Sequence, residues 1–162
     1  MNKAAKREYR SDCPVNFAVE ALGDRWSLII LRDMIFWGKR SFGDFLKSDE
    51  KIATNILASR LVYLEAEGLI SKQTDPDDKR REVYSVTELG LGLVPMFIEM
   101  IAWSASNEAW QLMPHCGTPE QESFVRRVAE TIDRSKIAEE VRITVRNGGF
   151  VFQGVDRSRV SV

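Results

Sequence analysis

The stretch "TNILASRLVYLEAEGLISKQTDPDDKRREVYSV", residues 54–86, decides the fold. Leu57, Leu61 and Leu64 fall at i, i+4 and i+7, which is the buried seam of an amphipathic helix. Thr54, Asn55 and Ser59 lie away from that seam, on a small and polar face. Gly68 follows, a residue that ends a helix in the left-handed conformation at little cost. "LISKQT" and "EVYSV" then read as two short strands joined by a turn over residues 75–81, with Pro76 pre-setting the bend. Lys79, Arg80 and Arg81 stand at the tip of this hairpin. Asp75, Asp77 and Asp78 precede them, where short acids shape a turn and pair with neighbouring bases.

Upstream, "SDCPVNFAVEALGD" reads as a short helix. Pro14 suits its first turn, Val15, Ala18, Val19 and Leu22 give it one apolar stripe, and Gly23 ends it. Asp24 is placed to cap "RWSLIILRDMIF", which is apolar nearly all round apart from Arg25, Arg32 and Asp33. A helix of that kind belongs at the centre of a domain, with Trp26 and Phe36 as packing residues. Ser41 and Asp44 form a capping-box pattern before a helix of barely two turns, from which Phe42, Phe45 and Leu46 point inward.

Downstream, Thr87 caps a last long helix carrying Leu89, Leu93, Phe97, Met100, Ile101 and Trp103. Pro95 is expected to kink it. After Pro114 a further helix carries Phe124, Val128 and Ile132. "VRITVRNGGFVFQGV" alternates around Asn147-Gly148 and predicts a β-hairpin with Phe150 and Phe152 on one face. The expected organisation is a basic arm (1–11), a central domain (12–114) and a C-terminal helix-plus-hairpin extension (115–162). The arm is either disordered or tracks phosphate.

The totals narrow the function. A chain of 162 residues, 44% hydrophobic and 29% charged, suits one folded domain with an appendage. A formal net charge of -1 argues against wholesale coating of nucleic acid, though not against a local basic face. No secretory signal is expected, and the apolar runs are broken by charges such as Arg32 and Asp33, so the chain is expected to be cytoplasmic and without a membrane partner. Cys13 and Cys116 make neither a disulfide framework nor a zinc spacing, and His115 is the only histidine, so a multi-histidine metal site within one chain is excluded. No Gly-rich phosphate loop, general base or oxyanion donor is identifiable, which weighs against an enzyme and against a bound cofactor.

The order helix, helix, short helix, small-faced helix, hairpin, long helix is that of a winged helix-turn-helix. The expected fold class is mainly α with a β-hairpin wing (α+β). A helix that enters the major groove needs one face packed on its domain and another made of small, hydrogen-bonding side chains. Residues 53–66 have that division. The hairpin beside it would lie along the backbone near the minor groove, its bases neutralising phosphates.

The pieces Cys13-Pro14, Gly23-Asp24-Arg25-Trp26, Arg40-Ser41-Phe42, Leu57 with Arg60-Leu61, Glu67-Gly68-Leu69, and Tyr84-Ser85 leading to Thr87-Glu88-Leu89-Gly90 occur together and in this order. Over roughly residues 12–105 the chain resembles the HxlR-type transcription regulators, relatives of the MarR group. The resemblance implies a homodimeric, sequence-specific DNA-binding protein, often a repressor, on double-stranded palindromic operators. It also implies dimerisation through the N-terminal and long C-terminal helices. Thr54, Asn55 and Ser59 become base-facing candidates; Arg40, Ser41, Arg60, Lys79, Arg80 and Arg81 become phosphate-contact candidates. The wing "DPDDKRRE" departs from the short Pro-containing wing usual in that family.

Several residues carry two readings. Arg60 either touches phosphate or pairs with an acid such as Glu65 or Asp44. The wing bases either meet phosphate or are a solvated tip. Trp103, Trp110 and Met113 lie beyond the expected monomer core and are expected at a dimer interface. Cys13, at a helix N-terminus, is either an oxidant- or electrophile-sensing thiol or a small apolar packing residue. Cys116 is a candidate to meet the Cys13 of a second copy, and a small-molecule effector is the other expected input. Two rival functions stay open: an interaction adaptor that kept the fold and lost DNA binding, and a thiol-dependent enzyme centred on Cys13.

Overall fold

The computed structural model describes residues 11–113 and 117–152. They fall into two compact units, one of Met1–Met34 with Lys39–Gly90, the other of Ile35–Gly38 with Leu91–Val162. Residues 1–10 of the basic arm, Pro114, His115, Cys116 and residues 153–162 lie outside the described residues.

The first unit is a winged helix. Its order is α1 (Pro14–Leu22), α2 (Arg25–Trp37, whose last turn belongs to the second unit), α3 (Phe42–Leu46), α4 (Thr54–Ala66), β1 (Ile70–Thr74) and β2 (Glu82–Val86). Two of these helices, α2 and α3, start where the sequence provides a side-chain acceptor. Asp24 Oδ1 accepts the N–H groups of Trp26 and Ser27 at 3.0 Å each, capping α2. Ser41 and Asp44 close a reciprocal capping box on α3. Gly68, at φ +71°, turns the chain out of α4 into β1.

Leu57, Leu61 and Leu64 are buried, as their spacing predicts, with Ile30, Leu31, Phe45 and Ile70. Burying each such side chain contributes roughly 1.5–3 kcal/mol. The strands pair antiparallel from Ile70 opposite Val86 to Thr74 opposite Glu82. Tyr84 N–H donates to the Arg40 carbonyl at 2.7 Å, and its ring meets Phe45 edge-on, so β2 is held against the start of α3. One inward-facing expectation fails here, since Leu46 is exposed; of the apolar stripe on α1 only Leu22 is buried, while Val15 and Val19 lie open.

The second unit is helical: α6 (Val94–Ala105), α7 (Glu108–Gln111), α8 (Pro119–Glu130) and α9 (Ser135–Arg146). α5 (Glu88–Leu91) lies where the chain passes between the units, and Thr87 caps it through Gly90 N–H at 3.1 Å. Phe36 gathers Phe97, Phe124 and Phe152 around itself, with ring centroids 5.9–6.3 Å apart. Phe152 N–H donates to the Phe36 carbonyl at 2.9 Å.

Two sequence expectations are corrected in this unit. The long helix kinked by Pro95 is three helices, α5, α6 and α7. Pro95 stands in the first turn of α6, where a missing N–H breaks no hydrogen bond. By length and mean hydropathy alone Glu88–Ala105 is long and apolar enough to cross a membrane. Its Val94, Phe97, Ile98 and Ala102 are buried within the protein.

The predicted C-terminal hairpin is instead α9. Ile137, Ala138 and Val141 are its buried positions, a helical period, and Ile143 of the apparent alternation is exposed. Asn147-Gly148 ends the helix rather than turning two strands. Gly148, at φ +83°, donates to the Val145 carbonyl and Gly149 to the Thr144 carbonyl, each at 3.0 Å, which is a Schellman closure. The same dipeptide serves both turn types because both need a left-handed residue.

Candidate nucleic-acid interface

With Leu57, Leu61 and Leu64 turned into the first unit, α4 presents Thr54, Asn55 and Ser59 outward, and all three are exposed. At 100° per residue Asn55 and Ser59 point almost directly away from the leucine seam. Val62, 68% exposed, occupies the same outward stripe at i+7 from Asn55. Its periodicity was available in the sequence, but a single valine on a polar face does not attract notice.

Arg60 sits on the flank of α4. Its Nη1 lies 3.3 Å from Asp24 Oδ2 and its guanidinium 5.4 Å over the Tyr63 ring. Tyr63 Oη donates to the Ala21 carbonyl at 3.0 Å. Arg60 thus ties α4 to the start of α2, through an acid other than Glu65 or Asp44. Burial pushes the Asp24 carboxyl up, but the Ser27 hydroxyl and N–H, the Arg60 charge and the Trp26 N–H outweigh it and hold it below its ordinary value.

The wing turn is organised by its own acids. Asp75 Oδ1 accepts the Asp77 N–H and Asp78 Oδ1 the Arg80 N–H, each at 3.0 Å. Asp75 N–H donates to the Arg81 carbonyl and Arg81 N–H to the Asp78 carbonyl, each at 2.8 Å. Arg80 Nε reaches Asp78 at 3.3 Å, yet its side chain is 93% exposed. Arg81 lies 3.9 Å from both Asp44 and Asp75. Lys79 is exposed.

Between the wing and α3 lies an open cleft of about 730 Å³, lined by Lys47 on one side and Lys79, Arg80 and Arg81 on the other. Arg40 is half-buried, with its carbonyl engaged by Tyr84. Ser41, expected at a phosphate, is buried, and its hydroxyl donates to Asp44 at 2.6 Å. It is occupied as a helix cap. Burial raises the Asp44 carboxyl, but Ser41, the Arg40 N–H and the Arg81 charge together bring it below its ordinary value.

A buried ionic cluster, unseen in the sequence, fixes the platform. Asp33 is fully buried. It accepts from Lys39 Nζ at 2.7 Å, from Arg32 at 2.7 and 3.1 Å, and from the Ser48 hydroxyl. Lys39 also reaches Ser48 Oγ at 2.7 Å, and Arg32 continues to Glu50 at 3.0 Å. The cluster therefore joins α2 to the connection that launches α4. The signal was present as two charges inside an otherwise apolar helix, without an indication of their partners.

Cys13 is exposed at the N-cap of α1, beside exposed Val15, Phe17 and Val19. Trp103 is exposed on α6; Trp110 is half-buried on α7 and Met113 exposed just after it, not on the same helix as expected.

Comparison with known proteins agrees with this geometry. A family model described as HxlR-like helix-turn-helix matches residues 21–111, more than half the chain. YybR of Bacillus subtilis, an uncharacterized HTH-type transcriptional regulator, is 32% identical over 98 residues, covering 60% of this chain and 78% of that protein. The crystal structure of PA1607, a candidate transcription factor, superposes with a TM-score of 0.58 at 31% identity, over 65% of this chain and 72% of the other. The redox regulator HypR in its oxidized form gives a TM-score of 0.52 at 30% identity, over 59% of this chain and 98% of the other.

Proposed function

The chain belongs to the HxlR-like helix-turn-helix family, and on that premise we propose that it is a homodimeric, sequence-specific repressor of transcription whose DNA affinity responds to thiol oxidation. One observation carries the DNA-reading part. α4 is divided lengthwise into a buried leucine seam and an exposed face bearing Thr54, Asn55 and Ser59, beside a wing whose Arg80 is almost wholly in solvent. Side chains on such a face reach base edges while bases on the wing position the protein on phosphate.

Arg40, Lys79, Arg80 and Arg81 are assigned the phosphate contacts. Arg60 contributes chiefly by orienting α4 through Asp24, with donors left over for a phosphate. Ser41 acts through its cap. The exposed apolar residues of α1 together with Trp103, Trp110 and Met113 are assigned to pairing with a second copy. Such pairing would set two copies of α4 about one helical turn, roughly 34 Å, apart.

Cys13 is assigned the thiol response. It is exposed on the face that pairing would cover, so its oxidation would act on the spacing of the two reading helices. The likeness to the redox regulator HypR supports this reading.

The test is fluorescence anisotropy on duplexes selected from a random pool, titrated against salt and repeated after mild oxidation. Tight, selective binding that weakens steeply with salt is expected. Its loss on oxidation, spared in Cys13→Ser, is expected too. Failure of the selection to enrich any sequence would overturn the DNA-reading proposal; oxidation without effect would overturn the thiol part alone.

A further inference from the structure

On α4 the direction opposite the leucine seam is occupied by Asn55, Ser59, Val62 and Ala66, at i, i+4, i+7 and i+11. Asn55 and Ser59 are already assigned to base reading, and Ala66 is small. Val62 is the exception. It is β-branched, among the weaker helix formers, and 68% exposed. Ile56, the other large apolar side chain that α4 exposes, is 36% exposed and points to one flank.

The major groove offers one apolar feature on a base edge, the C5-methyl of thymine. Asn55 carries the amide that pairs bidentately with adenine N6 and N7. Seven residues at 1.5 Å rise put Val62 about 10 Å along the helix from Asn55. At about 3.4 Å per base pair that is a span of about three base pairs.

We infer that Val62 is a specificity-determining residue that reads a thymine methyl about three base pairs from the adenine read by Asn55. This rests on the DNA-reading proposal above and deepens it, assigning an A·T-containing half-site with one methyl contact. An exposed valine with no such role is common on protein surfaces. The test is chosen to separate the two.

Duplexes enriched by the wild-type protein are resynthesised with deoxyuridine replacing each thymine in turn, which removes only the methyl. Wild type and Val62→Ala are titrated on the set by anisotropy; alanine at an exposed helical site keeps the fold intact. The expected result is one thymine per half-site at which deoxyuridine weakens wild type roughly fourfold, the equivalent of one apolar carbon group. At that position Val62→Ala is expected to bind the two duplexes equally. Selective wild-type binding with no such position, or the same deoxyuridine penalty in Val62→Ala, overturns the inference and leaves the DNA-reading proposal standing. A selection that enriches nothing overturns both.

Discussion

Asp33→Asn is the perturbation that most directly tests the architecture beneath the interface. The Asp33 side chain is 1% exposed and neutralises Lys39, itself only 11% exposed, and Arg32. Asparagine keeps the shape but removes the charge, leaving a buried ammonium without its counter-ion. Breaking a buried pair from one side destabilises by about 3–5 kcal/mol, because the surviving charge is uncompensated. Lys39→Met should cost less. Arg32 stays within 2.7 Å of the carboxylate and Ser48 still donates to it, so the loss is about one charged hydrogen bond, roughly 1.5–3 kcal/mol. Urea unfolding followed by tryptophan fluorescence reads both variants against wild type. A loss under 1 kcal/mol for Asp33→Asn, or a larger loss for Lys39→Met than for Asp33→Asn, would refute the account of this cluster.

Other consequences are separable by assay. Leu61→Ala should lower unfolding stability by about 2–5 kcal/mol, whereas Ser59→Ala, on the solvent-facing side of the same helix, should leave it within about 0.5 kcal/mol. Asn55→Ala should weaken binding to an enriched duplex by about 1–3 kcal/mol without changing the unfolding midpoint, read by anisotropy and urea titration in parallel. Asp24 and Asp44 are held below their ordinary carboxylate values when folded, so the stability they contribute is present above about pH 4 and declines as pH falls through the folded values. Asp24→Asn and Asp44→Asn should each flatten the acid side of the stability–pH curve, and an unchanged curve would contradict the assignment. Arg80→Glu should reduce affinity evenly across duplex sequences and lower the salt slope by about one; a sequence-dependent effect would place Arg80 on base edges instead.

What could be read from the residues alone follows physical locality. The seam of α4, the Ser41–Asp44 capping box, the left-handed Gly68 and the paired strands are each set by near neighbours in sequence, and each appears as expected. Errors arose where one local signal serves two structures. Asn147-Gly148 needs a left-handed residue whether it turns a hairpin or ends a helix, and only the burial of Ile137, Ala138 and Val141 decides. Pro95 reads as a kink within one continuous helix, although Gly92 stands in the turn at residues 92–93 and marks the break. Lys39 as a partner of Asp33 and Asp24 as the partner of Arg60 lie 6 and 36 residues away and depend on how α2 faces its neighbours, which no periodicity reports.

The turn of the wing bears on how this protein would travel along DNA. Asp75, Asp77, Asp78 and Glu82 outnumber Lys79, Arg80 and Arg81, and two of those bases lie close to acids within the turn. Such a tip projects little field beyond a Debye length and draws weakly on arbitrary duplex. Long residence at random sites depends on that attraction, so a self-screened wing favours brief visits and rapid departure over sliding. Arg80 would then add the same modest phosphate contact on any duplex, and the choice of where to stay would fall to the reading helix.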